Sequence, residues 1–120
     1  MAAPTAGDSQ DCVKILDLEG RVVSINAAGC RILEIDDASS IIGRSWIELW
    51  AGADLHVAKA AIIRAARGET VTFEAFGYTF RNRGRFWQNR VTPVFDPDGK
   101  VRELVVVSRD VTELRLPARA

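Results

Sequence analysis

The chain reads as an α+β fold, a five-stranded antiparallel sheet with helices packed on one face, and three observations point there. The hydrophobic pattern is strand-like at the start, helical in the middle and strand-like again from Thr70 to the end. Turn chemistry separates the strand-like runs, at Asp17-Leu18-Glu19-Gly20, Arg81-Asn82-Arg83-Gly84 and Asp96-Pro97-Asp98-Gly99. The chain has 120 residues, of which 48% are hydrophobic, enough apolar side chains for one core but not for two.

Val13 to Leu16 and Arg21 to Ile25, rich in β-branched and long apolar residues, predict a first hairpin around the Asp17–Gly20 turn. Asn26 can cap a short helix over Ala27 to Leu33, its side-chain oxygen accepting from an unpaired amide of the first turn. Gly29 makes that helix weak in isolation, so packing has to hold it. Asp36 to Ser40 is polar, and Ile41 to Trp46 resumes an apolar pattern with a glycine break, which predicts short helical turns. Asp54 is expected to cap a longer helix in which Leu55, Ala58, Ile62 and Ala65 or Ala66 recur at helical spacing, and Gly68 closes it in a left-handed conformation. Three strands follow, over Thr70 to Thr79, Arg85 to Val94 and Val101 to Ser108.

Composition removes several function classes. Lys plus Arg and Asp plus Glu are both 16, so no global field draws in nucleic acid or an anionic membrane, and neither is expected as a partner. The basic turn of Arg81, Arg83 and Arg85 is expected as a solvated hairpin tip. Cys12 and Cys30 lack the spacing of a disulfide framework or a zinc site and are read as reduced, cytosolic thiols. Residues 1–10 are Ala, Gly, Pro and Ser rich without the pattern of a secretory signal, and are expected to be a disordered tail. Apolar runs are short, such as Leu104 to Val107, so no membrane span is expected, and the location implied is cytoplasmic. A nucleophile with its base, paired carboxylates or a metal cluster are all missing at recognisable spacing, which argues against an enzyme and leaves no catalytic residue to name.

The order of elements, together with three local signatures, resembles the PAS domain family of sensory modules. Asp17 to Asn26 followed by Ala27-Ala28 is similar to the family's first hairpin, and Ile42-Gly43-Arg44 to its small helical segment. Pro93 to Val101 and Ser108-Arg109-Asp110-Val111-Thr112-Glu113 look like its last hairpin and closing Asp-x-Thr-Glu motif. The resemblance implies a PAS-like sensor domain over residues 11–113, an exit linker over 114–120, a cavity for a small molecule and a signal relay at Asp110, Thr112 and Glu113. It further implies a homodimer and an attached effector or partner protein, such as a sensor histidine kinase of a two-component system or a transcription regulator. Asp110 and Thr112 can also be read as a helix cap alone, since both accept bonds from backbone amides. At the chain's end, Pro117 disfavours helix at Leu116.

Members of such a family differ in what they hold, so particular residues have to decide. The flavin photosensor branch carries a reactive cysteine in a Gly-x-Asn-Cys-Arg-Phe-Leu-Gln motif; here Gly43-Arg44-Ser45-Trp46 puts Trp46 at that position, which argues against covalent flavin photochemistry. Gly29-Cys30-Arg31 mimics the letters but lies on the earlier helix, where Cys30 is expected buried or half-buried. His56, the only histidine, is the one candidate haem ligand, yet it lies off the apolar stripe, so haem is not expected and the cofactor stays unknown. Trp46 and Trp50, four residues apart, serve either core packing or an aromatic ligand. In Phe86 to Thr92, Trp87 and Asn89 share one face of a strand and Arg90 the other, so a polar group enters the interior whichever face is inward. Arg90 could meet Glu74 or a ligand carboxylate there. The cavity candidates are Trp46, Trp50, Phe73, Trp87, Asn89 and Arg90. The alternative function is a ligand-free dimerisation or relay module with a filled, dry core.

Overall fold

Burial alternates along the strands with a period of two, and this sets which side of the sheet is the interior. In the computed structural model, which describes residues 10–115, the strands are β1 (Cys12–Leu16), β2 (Val22–Ile25), β3 (Val71–Tyr78), β4 (Gly84–Phe95) and β5 (Val101–Asp110). They form one sheet in the order β2-β1-β5-β4-β3, with every neighbouring pair antiparallel. Cys12, Lys14 and Leu16 point inward from β1, Leu104, Val106 and Ser108 from β5, and Trp87, Asn89 and Val91 from β4.

The helices are α1 (Ala27–Ile32), α2 (Ala53–Ala66) and α3 (Thr112–Arg115), with 3₁₀ turns at Ala38–Ser40 and Trp46–Leu49 between the first two. Helix α2 buries Ala58, Ala61, Ile62 and Ala65, and the three alanines let its backbone lie close to the sheet. Gly68 closes it at φ 100°, as its position predicts. The fold class read from the sequence is therefore the fold observed.

Asn26 does more than cap α1. Its Oδ1 accepts from Gly29 N at 2.8 Å and from Val13 N at 3.0 Å, while its Nδ2 donates to the carbonyl of Asp11 at 3.1 Å. One amide therefore ties the start of β1, the end of β2 and the first turn of α1 together. Gly29 is not merely tolerated in that helix: a Cβ there would stand 2.8 Å from each of Asn26 Oδ1, Cys12 Sγ and Ile25 Cγ1. The helix lies so close to β1 and β2 that only glycine fits.

Three expectations need correction or completion. The N-cap of α2 is Gly52, at φ 61°, and not Asp54. Asp54 sits inside the first turn and accepts from Phe76 N on β3 at 3.1 Å. β3 is an edge strand, so this amide has no neighbouring strand to meet, and a carboxylate serves it instead. The Ile41–Trp46 segment does turn, but it also runs beside β2, the other edge: Gly43 N donates to Val22 O at 2.8 Å and Val22 N to Arg44 O at 2.9 Å. The linker expected from residue 114 begins as helix through Arg115. Pro117, with the rest of 116–120, and all of the expected N-terminal tail except Gln10 lie outside the described residues.

Asn26→Ala is expected to destabilise the protein by about 2–4 kcal/mol in denaturant titration, the combined loss of a cap and two further hydrogen bonds; a change below about 0.5 kcal/mol would show the node to be inert. For Gly29→Ala, helix propensity alone would stabilise by about 1 kcal/mol. The close approach of Cys12, Ile25 and Asn26 reverses the sign, with a net loss of about 1–2 kcal/mol expected from the same measurement. An unchanged or raised unfolding midpoint would overturn that account.

Candidate functional site

The inner face of the sheet and the Trp46–Leu49 turn enclose a cavity of about 20 Å³, walled by Lys14 and Ser108 from the sheet and by Trp46, Trp50 and Trp87. Leu33, Leu49 and Gly77 complete the wall, and Tyr78 and Phe80 stand at its more exposed side. This is room for about one water molecule. Trp46 and Trp50 meet edge to face with ring centroids 5.7 Å apart, and the half-buried Phe73 lies 6.1 Å from the first and 6.4 Å from the second. Trp50 also presses on β3, because a Cβ at Gly77 would fall 2.9 Å from its Cζ3.

The polar groups in this interior are unevenly served. Asn89, fully buried, accepts from Ser108 Oγ at 2.6 Å, but its Nδ2 has no partner. The indole nitrogens of Trp46 and Trp50 are likewise buried without a partner, whereas Trp87 Nε1 donates to Gly77 O at 3.3 Å. Lys14 is only 2% exposed, and its Nζ sits 3.0 Å from Cys12 Sγ. Buried donors without acceptors are uncommon in folded proteins and are costly.

Of the six candidates for a cavity, Trp46, Trp50 and Trp87 line this space, Phe73 packs on the first two and Asn89 lies behind Ser108, whereas Arg90 is elsewhere. Trp87 points inward, so Arg90, three residues on, falls on the outer face, exposed beside Thr72, Gln88 and Arg109. Glu74, its supposed partner, is bound to Arg115 instead. His56 is exposed on α2, away from the cavity. Cys30 is half-buried on α1, where burial first and the neighbouring Cys12 second push its thiol above the ordinary value. Among the described residues no three His, Cys, Asp or Glu side chains converge as a metal site, and no helix is long and apolar enough to cross a membrane.

Lys14, Ser108 and Gly77 did not emerge from the sequence. Lys14 carried a signal, since it shares strand phase with Cys12 and Leu16, and a lysine in phase with core residues has to be buried with them.

Two strand positions beyond Ser108, the exit of β5 is built from Asp110 and Thr112. Asp110 Oδ1 accepts from Thr112 N at 3.0 Å and from Thr112 Oγ1, which in turn accepts from Phe86 N at 3.0 Å. Val111 N donates to Phe86 O at 2.9 Å, so the chain is tied to the start of β4 just as it leaves the sheet. Glu113 is exposed on α3 and makes no such bond among the described residues. Arg115 holds α3 against β3 through a two-pronged pair with Glu74, whose Nε–Oε1 arm is 2.7 Å. That hydrogen bonding lowers the Glu74 carboxyl below its usual range. The basic turn is paired at its surface, Arg81 with Asp36 at 3.0 Å and Arg83 with Glu34 at 3.4 Å.

A family model described as the PAS fold matches residues 7–116. Among solved structures, the chain is similar to an RNA-binding Light-Oxygen-Voltage receptor at 22% identity and a TM-score of 0.78, covering 91% of this chain and 32% of that one. It therefore spans about a third of that receptor. A PAS domain from Colwellia psychrerythraea gives 16% identity and a TM-score of 0.78, covering 89% of this chain and 91% of the other. A domain of a sensory box sensor histidine kinase/response regulator from Geobacter sulfurreducens gives 24% and 0.71, covering 85% and 84%. No curated protein sequence was found to match. With the strand order, the closing Asp110–Thr112 lock and a family match over nearly its whole length, this chain belongs to the PAS fold family.

Proposed function

We infer that this domain is a sensory module that holds a small molecule at its inner cavity and passes the occupancy of that cavity to an effector such as a histidine kinase or a transcription regulator. One observation carries the reading: Ser108, in the cavity wall, lies on β5 two residues before Asp110, whose carboxylate holds Thr112 at the foot of α3. Along a β-strand, residues two apart share a face, so Ser108 and Asp110 move as parts of one stiff element. A ligand that accepts from Ser108 Oγ competes with its 2.6 Å bond to Asn89 and shifts β5 where the exit is locked.

A second reading, a homodimeric relay needing no ligand, is favoured by the outer sheet face, where Val13, Ile15, Val105 and Val107 are only half-buried. A second copy of the chain would cover this stripe. The two readings part in the same experiment, because native mass spectrometry of freshly purified protein reads bound small molecules and oligomeric state together.

A co-purifying mass released on denaturation is the expected result for the sensor. A ligand-free dimer, with no compound from a small-molecule panel altering hydrogen exchange at residues 110–115, would end that reading. Thr112→Val keeps the side-chain shape but strips the acceptor from Phe86 N and the donor from Asp110. It is expected to cost about 1–3 kcal/mol and to speed exchange of the amides at Phe86 and Thr112. Exchange there matching the unaltered chain would mean that Thr112 is not the lock.

A further inference from the structure

Donors without an acceptor gather at the cavity: two indole nitrogens in its wall and, behind Ser108, the amide nitrogen of Asn89. Trp46 Nε1, Trp50 Nε1 and Asn89 Nδ2 are buried N–H donors without an acceptor. Lys14 adds an ammonium, 2% exposed, whose one hydrogen-bond partner among the described residues is the Cys12 thiol. The neighbouring acceptor, Asn89 Oδ1, is already engaged by Ser108 Oγ. A water molecule can serve an indole N–H, but it carries no charge, and a buried cation calls for a countercharge. The protein's own carboxylates do not supply one, since among the described residues none lies within ion-pair reach of Lys14.

On this ground, and resting on the reading that the cavity takes a ligand, we propose that the ligand is a small carboxylate whose anionic head sits against Lys14. The indole N–H groups of Trp46 and Trp50 are its further donors. A carboxylate is acceptor-only and offers about four lone-pair sites, which suits the Lys14 ammonium and the two unpartnered indole N–H groups. The cavity, about 20 Å³, takes little more than one carboxylate oxygen, so the rest of the molecule lies toward Tyr78 and Phe80, the exposed members of the lining. Their rings favour an apolar or aromatic tail.

Tryptophan indole N–H signals in proton–nitrogen NMR spectra of the whole chain test this directly, with acetate as the probe at constant ionic strength. Acetamide, its neutral isostere, and chloride, a charge without a carboxylate, are the comparisons. Saturable shifts of the Trp46 and Trp50 indole signals are expected with acetate and not with the other two. Lys14→Met, an apolar replacement of similar length, is expected to weaken acetate binding about tenfold or more, the loss of one hydrogen bond to a charged donor. Equal binding of acetate to Lys14→Met overturns the proposal, as does an equal response to chloride or the absence of any saturable shift with acetate. A response to acetamide alone overturns it while leaving the sensory reading intact, and the acetate–acetamide comparison decides even where Lys14→Met does not fold.

Discussion

Period-two alternation leaves this sheet no choice about what it buries, and the rest of the molecule follows from that constraint. Placing Trp87 and Val91 in the core places Asn89 there too; placing Cys12 and Leu16 there takes Lys14 with them; Leu104 and Val106 bring Ser108. A one-residue slip would expose every one of these apolar side chains, so the register is held far more firmly by the apolar residues than the polar ones can oppose. Antiparallel pairing then sets the polar residues side by side, with Ser108 opposite both Cys12 and Asn89. The interior polar cluster is thus imposed by the hydrophobic pattern, and its cost is met in part by neighbours, as at Asn89 Oδ1 and Ser108, and left open at Asn89 Nδ2.

Packing on the helical side works to the same end. Small residues bring backbone close wherever a bulky group presses in: Gly29 under Cys12 and Ile25, Gly77 under Trp50, the alanines of α2 over the sheet. This packs the interior tightly around the small space beside Lys14. The edges are protected by different means. β2 is covered by the 43–46 segment, and β3 gives one of its free amides to Asp54.

Much of this was legible from the residues. Turn chemistry and hydrophobic period gave the five strands, the long helix and the Asn26 cap, because each depends on neighbours in sequence. What the sequence hid depends on neighbours in space. Asp54 looks like a cap by position, yet the edge amide it serves is 22 residues away on a strand whose exposure only topology reveals. Arg90 and Asn89 were equal claimants for the interior until the phase of β4 was known, and Trp87 decides it. Gly29 reads as a weakness in a helix and turns out to be a clearance. Lys14 was within reach of sequence reasoning, but a lone lysine in a short strand is ordinarily an edge residue, and β1 became a central strand only when β5 paired with it.

The same arrangement explains how a small interior event could be felt at the surface. A ligand moves an equilibrium only by the difference in its affinity for two states, and a few kcal/mol is the usual scale of that difference. The contacts holding α3 lie within this range. Its foot rests on the Asp110–Thr112–Phe86 bonds, each worth about 1 kcal/mol net, and its end on the half-exposed Glu74–Arg115 pair, which solvent screens. The sheet behind it is held by the whole core and does not yield on that scale. Under the sensory reading, free energy released at Ser108 would meet its weakest opposition two residues further along β5, where the strand gives way to α3.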